Sequence, residues 1–282
     1  MLAEKFTMKR VIRLNRCLSY SLAAVIILLA AHSTTAQVLN IEDPTTPLDS
    51  LAKNDFKWGI GLSGNLSRQS ILVYDYGIIA EAVYHRNDKH QVLLNGKYLN
   101  TGTSDGVLIN SGYYYVRFTP HFHRRLATQF FLQQQIDAGR GLVMRNLAGA
   151  NLRFDAYRGD NFCLQLSTGA MQEEERWNSS GSTDVTLGTV SRSMLKSNNV
   201  LRMTSNIGKH VELSFINFFQ MPFSADRFSF RWAAQLNVSV KFNSWLSLQL
   251  NYQSMYDTNP VVNIPAYYYT SSTGVGFSNR DN

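Results

Sequence analysis

Residues 228–253 read FSFRWAAQLNVSVKFNSWLSLQLNYQ. From Phe228, every second position holds Phe228, Phe230, Trp232, Ala234, Leu236, Val238, Val240 and Phe242. The positions between hold Ser229, Arg231, Ala233, Gln235, Asn237, Ser239 and Lys241. A helix would mix these two sets around its circumference, whereas a strand places them on opposite faces. After Asn243-Ser244 the pattern resumes, with Leu246, Leu248, Leu250 and Tyr252 against Ser247, Gln249, Asn251 and Gln253. Two long strands joined by a tight turn are therefore expected here.

The same alternation runs back toward the N-terminus. Leu72, Tyr74, Tyr76, Ile78 and Ala80 oppose Asp75 and Glu81, and Val92, Leu94 and Tyr98 oppose Gln91, Asn95 and Lys97. Phe130, Leu132 and Ile136 oppose Gln129, Gln133, Gln135 and Asp137. Met144, Ala148, Leu152 and Phe154 oppose Arg145, Asn151, Arg153 and Asp155. About twelve such segments of roughly ten residues or more fit between Trp58 and Phe277, the length a tilted strand needs to cross a bilayer. Strands of soluble sandwiches usually have ~5 to 6 residues. The polar set is rich in Gln, Asn, Ser and Thr with isolated charges, as in a wet lumen, rather than in the Lys and Glu of a surface facing bulk water. The pattern predicts an all-β fold, an antiparallel transmembrane β-barrel of about twelve strands.

The connections support this reading. Asn87-Asp88-Lys89, Arg158-Gly159-Asp160, Gly208-Lys209 and Asn243-Ser244 are tight and follow even-numbered strands. Trp177 to Ser197, Met221 to Arg227 and Asp257 to Pro265 follow odd-numbered ones and read as longer loops. Short periplasmic turns and longer external loops are the outer-membrane arrangement. Trp58, Trp177, Trp232 and Trp245, with Tyr74, Tyr84, Tyr98 and Tyr267-Tyr268-Tyr269, fall near expected strand ends, where aromatic girdles sit.

Upstream, basic residues between Lys9 and Arg16 precede the apolar run Leu18–Ala31, and small residues Thr34-Thr35-Ala36 precede Gln37. This is the layout of a signal peptide cleaved after Ala36. At 14 residues, the run is short for a spanning helix, which needs ~20. Residues 37–56 form a polar lead-in and 57–282 the barrel. Cleavage leaves Cys163 as the sole thiol of the mature chain, so no intramolecular disulfide is expected.

Composition sets outer limits. With 282 residues, 44% hydrophobic and 17% charged, the chain is neither disordered nor low in complexity. Its net charge of +7 is mostly leader: Lys5, Lys9, Arg10, Arg13 and Arg16 against Glu4 account for +4, leaving 22 basic and 19 acidic residues. Nucleic acid is not an expected partner. The expected partners are the lipid bilayer and the envelope assembly machinery, with small solutes or ions if the bore conducts.

Motifs for chemistry are weak. Gly59-Ile60-Gly61-Leu62-Ser63-Gly64 matches a dinucleotide fingerprint in letters, but that fingerprint needs a helix opening at its end, and here a two-residue period continues through it. His85, His90, His121, His123 and His210 flank expected periplasmic turns, far from the external end where an outer-membrane hydrolase would need its base. His121-Phe122-His123 reads as a solvated turn pair, not a metal site. Arg158-Gly159-Asp160 falls on a turn, and the Asn-x-Ser sequences at Asn65, Asn178 and Asn237 carry no functional meaning here. No catalytic residue, cofactor or metal is expected.

What remains is inward charge. Lys97, Arg117, Arg145, Arg153, Arg202, Arg231 and Lys241 share the inner face with Asp75, Glu81, Asp137, Asp155 and Glu173. The near balance favours cross-strand ion pairs that fill the lumen, with a slight positive excess if water passes. Lys97, Arg117, Arg145, Arg153, Glu173 and Arg231 are the leading lumen-lining candidates.

With Trp58-Gly59-x-Gly61-x-x-Gly64-Asn65, Gly149-Ala150-Asn151-Leu152-Arg153 and Gly169-Ala170-Met171-Gln172-Glu173-Glu174-Glu175, the chain resembles the salt-induced outer-membrane family called domain of unknown function 481. The resemblance spans about residues 57 to 277. It implies a signal-bearing outer-membrane barrel of unassigned activity linked to salt or osmotic stress. Ser278 to Asn282 after Phe277 depart from the terminal aromatic such barrels present during insertion. The expected function is a non-enzymatic envelope barrel, either a narrow channel or a structural component. The alternatives are an outer-membrane lipase or protease and a soluble β-sandwich binding an apolar ligand.

A cysteine substituted at Gly181 tests compartment and strand parity together. An impermeant maleimide applied to whole cells is expected to label it, and no labelling until the envelope is broken would contradict the topology.

Overall fold

The computed structural model describes residues 55–68, 72–86, 90–103, 106–123, 125–178, 188–224 and 228–278. The signal peptide, nearly all of the lead-in, the Gly181 loop and the tail after Ser278 lie outside them. The strands are β1 (Asp55–Arg68), β2 (Leu72–Arg86), β3 (His90–Thr103), β4 (Gly106–His123), β5 (Leu126–Asp137) and β6 (Leu142–Arg158). They continue with β7 (Phe162–Asn178), β8 (Thr189–Ile207), β9 (Val211–Pro222), β10 (Arg231–Lys241), β11 (Leu246–Asp257) and β12 (Tyr267–Ser278). One 3₁₀ turn, Ala138–Arg140, joins β5 to β6. Each strand pairs antiparallel with its sequence neighbours, and β12 returns to β1, giving a closed barrel of twelve strands.

Closure dictates the two faces. Leu132, Leu152 and Leu195 point outward at 61%, 51% and 52% exposure, while Arg117, Glu173 and Gln91 point inward at 0%, 1% and 1%. The barrel is thus apolar outside and polar within, the inverse of a soluble barrel and the surface that a bilayer requires. The dinucleotide-like stretch lies wholly within β1.

One expected loop is shorter than the pattern implied, and two are displaced along the chain. β7 runs to Asn178 and β8 starts at Thr189, so residues 189–197, expected as loop, are strand paired with β7. Near this end the outward positions include exposed Gln172, Glu174, Ser191 and Ser193. Apolar alternation fades there while backbone pairing continues. The next two keep about their expected length but shift: β9 extends to Pro222 while Phe228 and Phe230 precede β10 rather than open it, and β11 extends to Asp257 while β12 starts at Tyr267. The links after β1, β3 and β5 are also short, so only three of the six loop-end connections are long.

The lumen is not polar throughout. Val83, Leu93, Tyr113, Tyr115, Phe131, Leu147 and Met171 form an inward apolar cluster, and Val200, Ile216, Ala233 and Met255 form a second. A Cβ on Gly149 would lie 2.6 Å from the Phe131 ring and 2.8 Å from Met171 Cβ, so this glycine makes room for the larger neighbours. Trp177 is a correction to the expected girdle: it is 3% exposed and points inward beneath Val262. It shares the strand parity of Met171, Glu173 and Glu175, which overrides its position near a strand end. Trp58 and Trp245 do face outward near the turn end.

The β1–β12 seam has only four paired positions, Gly59–Leu62 against Val275–Ser278, compared with fourteen between β1 and β2. A Cβ on Gly274 would sit 2.5 Å from the Leu62 carbonyl oxygen. Gly274→Ala is expected to destabilise the fold by about 1–3 kcal/mol, as overpacking does. The readout is the temperature at which the fast-migrating folded band of an unboiled detergent gel is lost. Gly59→Ala, whose added Cβ meets nothing closer than 3.6 Å, should leave that temperature unchanged.

Candidate functional site

β7 alternates so that Glu173, Glu175 and Trp177 face inward in succession, and its neighbours supply the counter-charges. Arg145 on β6 donates from Nε to Glu173 Oε1 at 2.7 Å and from Nη1 to Gln135 on β5 at 3.3 Å. Lys196 on β8 pairs with the other Glu173 oxygen. Arg192, also on β8, reaches Glu175 Oε2 at 3.0 Å. Three strands from β7, Arg231 on β10 contacts Glu173 Oε1 at 2.6 Å, Glu175 Oε1 at 2.9 Å and its cross-strand neighbour Asp257 on β11 at 2.7 Å.

This ion network crosses the bore at its loop end. It links β5, β6, β7, β8, β10 and β11 through side chains that, Arg192 apart, are almost fully buried. Charges removed from water persist only when paired and hydrogen-bonded, and each carboxylate here has at least one cationic partner. The β11–β12 connection folds over the network. Val261, Val262 and Ile264 pack on Leu142 and Trp177, and the Asn259 carbonyl accepts from Arg192 at 2.7 Å. Arg140, in the turn above the strands, lies over the Tyr268 ring at 3.9 Å and the Trp177 ring at 5.3 Å. Burial lowers its pKa from the usual arginine value, with Tyr268 and Asp137 pulling the other way.

Of the six lumen-lining candidates, Arg145, Glu173 and Arg231 meet in this network. Arg117 and Arg153 lie elsewhere. Arg117, 0% exposed, hydrogen-bonds Tyr115 and faces Glu81. Arg153 pairs with Asp155 at 3.2 Å and with His121 Nε2 at 2.9 Å, near the turn end, where Arg158 also meets Asp155. Lys97 is half-buried on a separate wall.

Sequence reasoning missed Glu175, Arg192, Lys196 and Asp257 as members of the layer. Arg192, Lys196 and Asp257 fell in segments expected as loop, and Glu175 was seen only as part of an acidic run before one. Strand parity carried through Asn178 would have placed Glu175 inward beside Glu173.

Beneath the apolar clusters, a second feature opens toward the β10–β11 turn. It is a cavity of about 170 Å³ with polar and apolar lining, walled by the contiguous arc of strands β9 to β12 and β1 to β4. Among the described residues, no group of three His, Cys, Asp or Glu side chains is arranged to hold a metal ion.

Neither protein-family models nor curated proteins match the chain. Among solved structures, the NanC porin shares 9% identity at a TM-score of 0.45, covering 79% of this chain and 98% of that one. The translocator domain of the autotransporter NalP from Neisseria meningitidis gives 11% and 0.43, over 82% and 90%. The outer membrane protease OmpT from Escherichia coli gives 10% and 0.33, over 82% and 99%. These neighbours are outer-membrane barrels with different activities, and the likeness extends to architecture alone.

Glu173→Gln removes the carboxylate charge that Arg145, Lys196 and Arg231 share. It is expected to cost about 3–5 kcal/mol, as for breaking a buried pair, read as a lower gel-band conversion temperature. Adding Lys196→Met should recover part of that loss, because one excess cation is then gone.

Proposed function

We propose that this protein is a non-enzymatic outer-membrane barrel whose bore is closed at the loop end, serving as a structural component of the envelope. One observation carries the reading: the linked side chains Gln135, Arg145, Glu173, Arg231 and Asp257 run from β5 to β11, opposite in the ring, so protein charge fills the space a pore would leave to water. The apolar exterior supports placement in a bilayer, and inserting such a surface calls for the envelope assembly machinery. The non-enzymatic reading is supported by the histidines. His85, His90, His121, His123 and His210 all fall at the turn end of their strands or in a turn, away from the charged layer. The resemblance to the salt-induced family extends the proposal to salt or osmotic stress.

A narrow channel is the second reading, favoured by the cavity under the charged layer. Planar-bilayer recording separates the two. The wild-type chain is expected to give no conductance steps, whereas Arg231→Ala combined with Glu173→Ala should give small ones as the bridge across the bore is removed. Steady wild-type conductance would replace the structural reading with the channel. Turnover of lipid or peptide substrates by the purified protein would overturn the non-enzymatic reading.

A further inference from the structure

The cavity at the turn end has chemistry that the closed-bore reading leaves unused. Its walls carry polar groups that the protein does not satisfy. Asn95 is 4% exposed, and neither its side-chain nitrogen nor its oxygen has a hydrogen-bond partner. Ser214 Oγ, on a residue 2% exposed, and Gln235 Oε1, on one 5% exposed, are likewise unpartnered. Buried polar atoms are nearly always bonded to protein or to an ordered molecule, so three such residues around one cavity point to an occupant.

Charge narrows the occupant's class. Lys97 lines the same cavity, and its burial is not offset by any charged group. The other charges on the wall are countered: Lys241 faces Glu212 at 3.8 Å, and Glu81 faces Arg117. Among the described residues of the wall, one cation is thus left over. In the closed strand order, β3, bearing Asn95 and Lys97, and β10, bearing Gln235, lie five steps apart, on nearly opposite walls. A molecule held by both walls needs an anionic end and a hydroxylated end.

Size and shape fit this description. At about 170 Å³ the cavity is smaller than the ~300 to 1,000 Å³ of typical ligand pockets, so its occupant is small. Gly61 and Gly276 leave room for the Gln249 amide to lie across the β1–β12 seam. A Cβ on Gly61 would come within 2.9 Å of Gln249 Oε1, and one on Gly276 would run into the same amide. Gln249 thereby adds a further amide to the wall. Amides and hydroxyls donate and accept, which suits sugar-like hydroxyls.

We propose that this chamber binds a small hydroxylated monocarboxylate of the sugar-acid type, its carboxylate on Lys97 and its hydroxyls on Asn95, Ser214 and Gln235. Access is from the turn end, periplasmic in the arrangement expected from the loop lengths, because the ion network fills the other end. Binding itself does not depend on whether the barrel conducts.

The test is calorimetric titration of the full chain folded in detergent with sodium gluconate, glucose and sodium acetate. Gluconate is expected to bind at least tenfold more tightly than either of the others, since each of them retains half of the recognition. Lys97→Met should weaken gluconate at least tenfold and leave glucose unchanged, with Lys97→Gln as the second variant if the first fails to fold. Equal affinity for acetate and gluconate would mean a plain anion site. Equal affinity for glucose and gluconate, or no heat with any of the three, would leave Lys97 without the assigned role. Any of these outcomes overturns the proposal, and none bears on conductance.

Discussion

In hydrocarbon, a backbone N–H or C=O left without a partner costs several kcal/mol, and no water is present to supply one. A sheet meets that constraint only by closing on itself, which is why β12 returns to β1. The other features follow from closure. A closed pleated wall sends alternate side chains to lipid and to lumen, so the chemistry of each residue is decided by its parity. The four-pair seam is the shortest pairing in the ring, and Gly274 stands where the β12 backbone passes close to Leu62. Small residues there let the backbones approach.

Once closed, the barrel has an interior to fill. Part is filled with apolar side chains, as Phe131, Leu147 and Met171 pack inside much as they would in a soluble core. The loop end is filled with charge. The ion layer ties β7 to β10 and β11 through side chains, because Arg231 reaches carboxylates on both β7 and β11. The β11–β12 connection then settles on that layer through Val261, Val262 and Ile264.

The turn end differs. There the wall changes from bulky residues to amides, hydroxyls and glycines, and polar atoms remain unbonded. The two ends of one bore thus differ in chemistry, charge packed at the loop end and a cavity at the turn end.

The period of two in residues 228–253, repeated about twelve times, was sufficient for strands, an inside-out barrel and an inward position for Lys97, Arg117, Arg145, Arg153, Glu173 and Arg231. Parity is a local property, so sequence carries it. Where lipid no longer demands apolar side chains, as at Ser191 and Ser193, the signal vanishes, and Lys196 was lost with it. Trp177 shows the same limit from the other side, since an aromatic near a strand end looks alike whether it meets headgroups or a loop. What only the tertiary structure decided is which inward residues meet. Glu173 and Arg231 are 58 residues apart, and their contact depends on the stagger of strands around the ring, which no run of ten residues encodes.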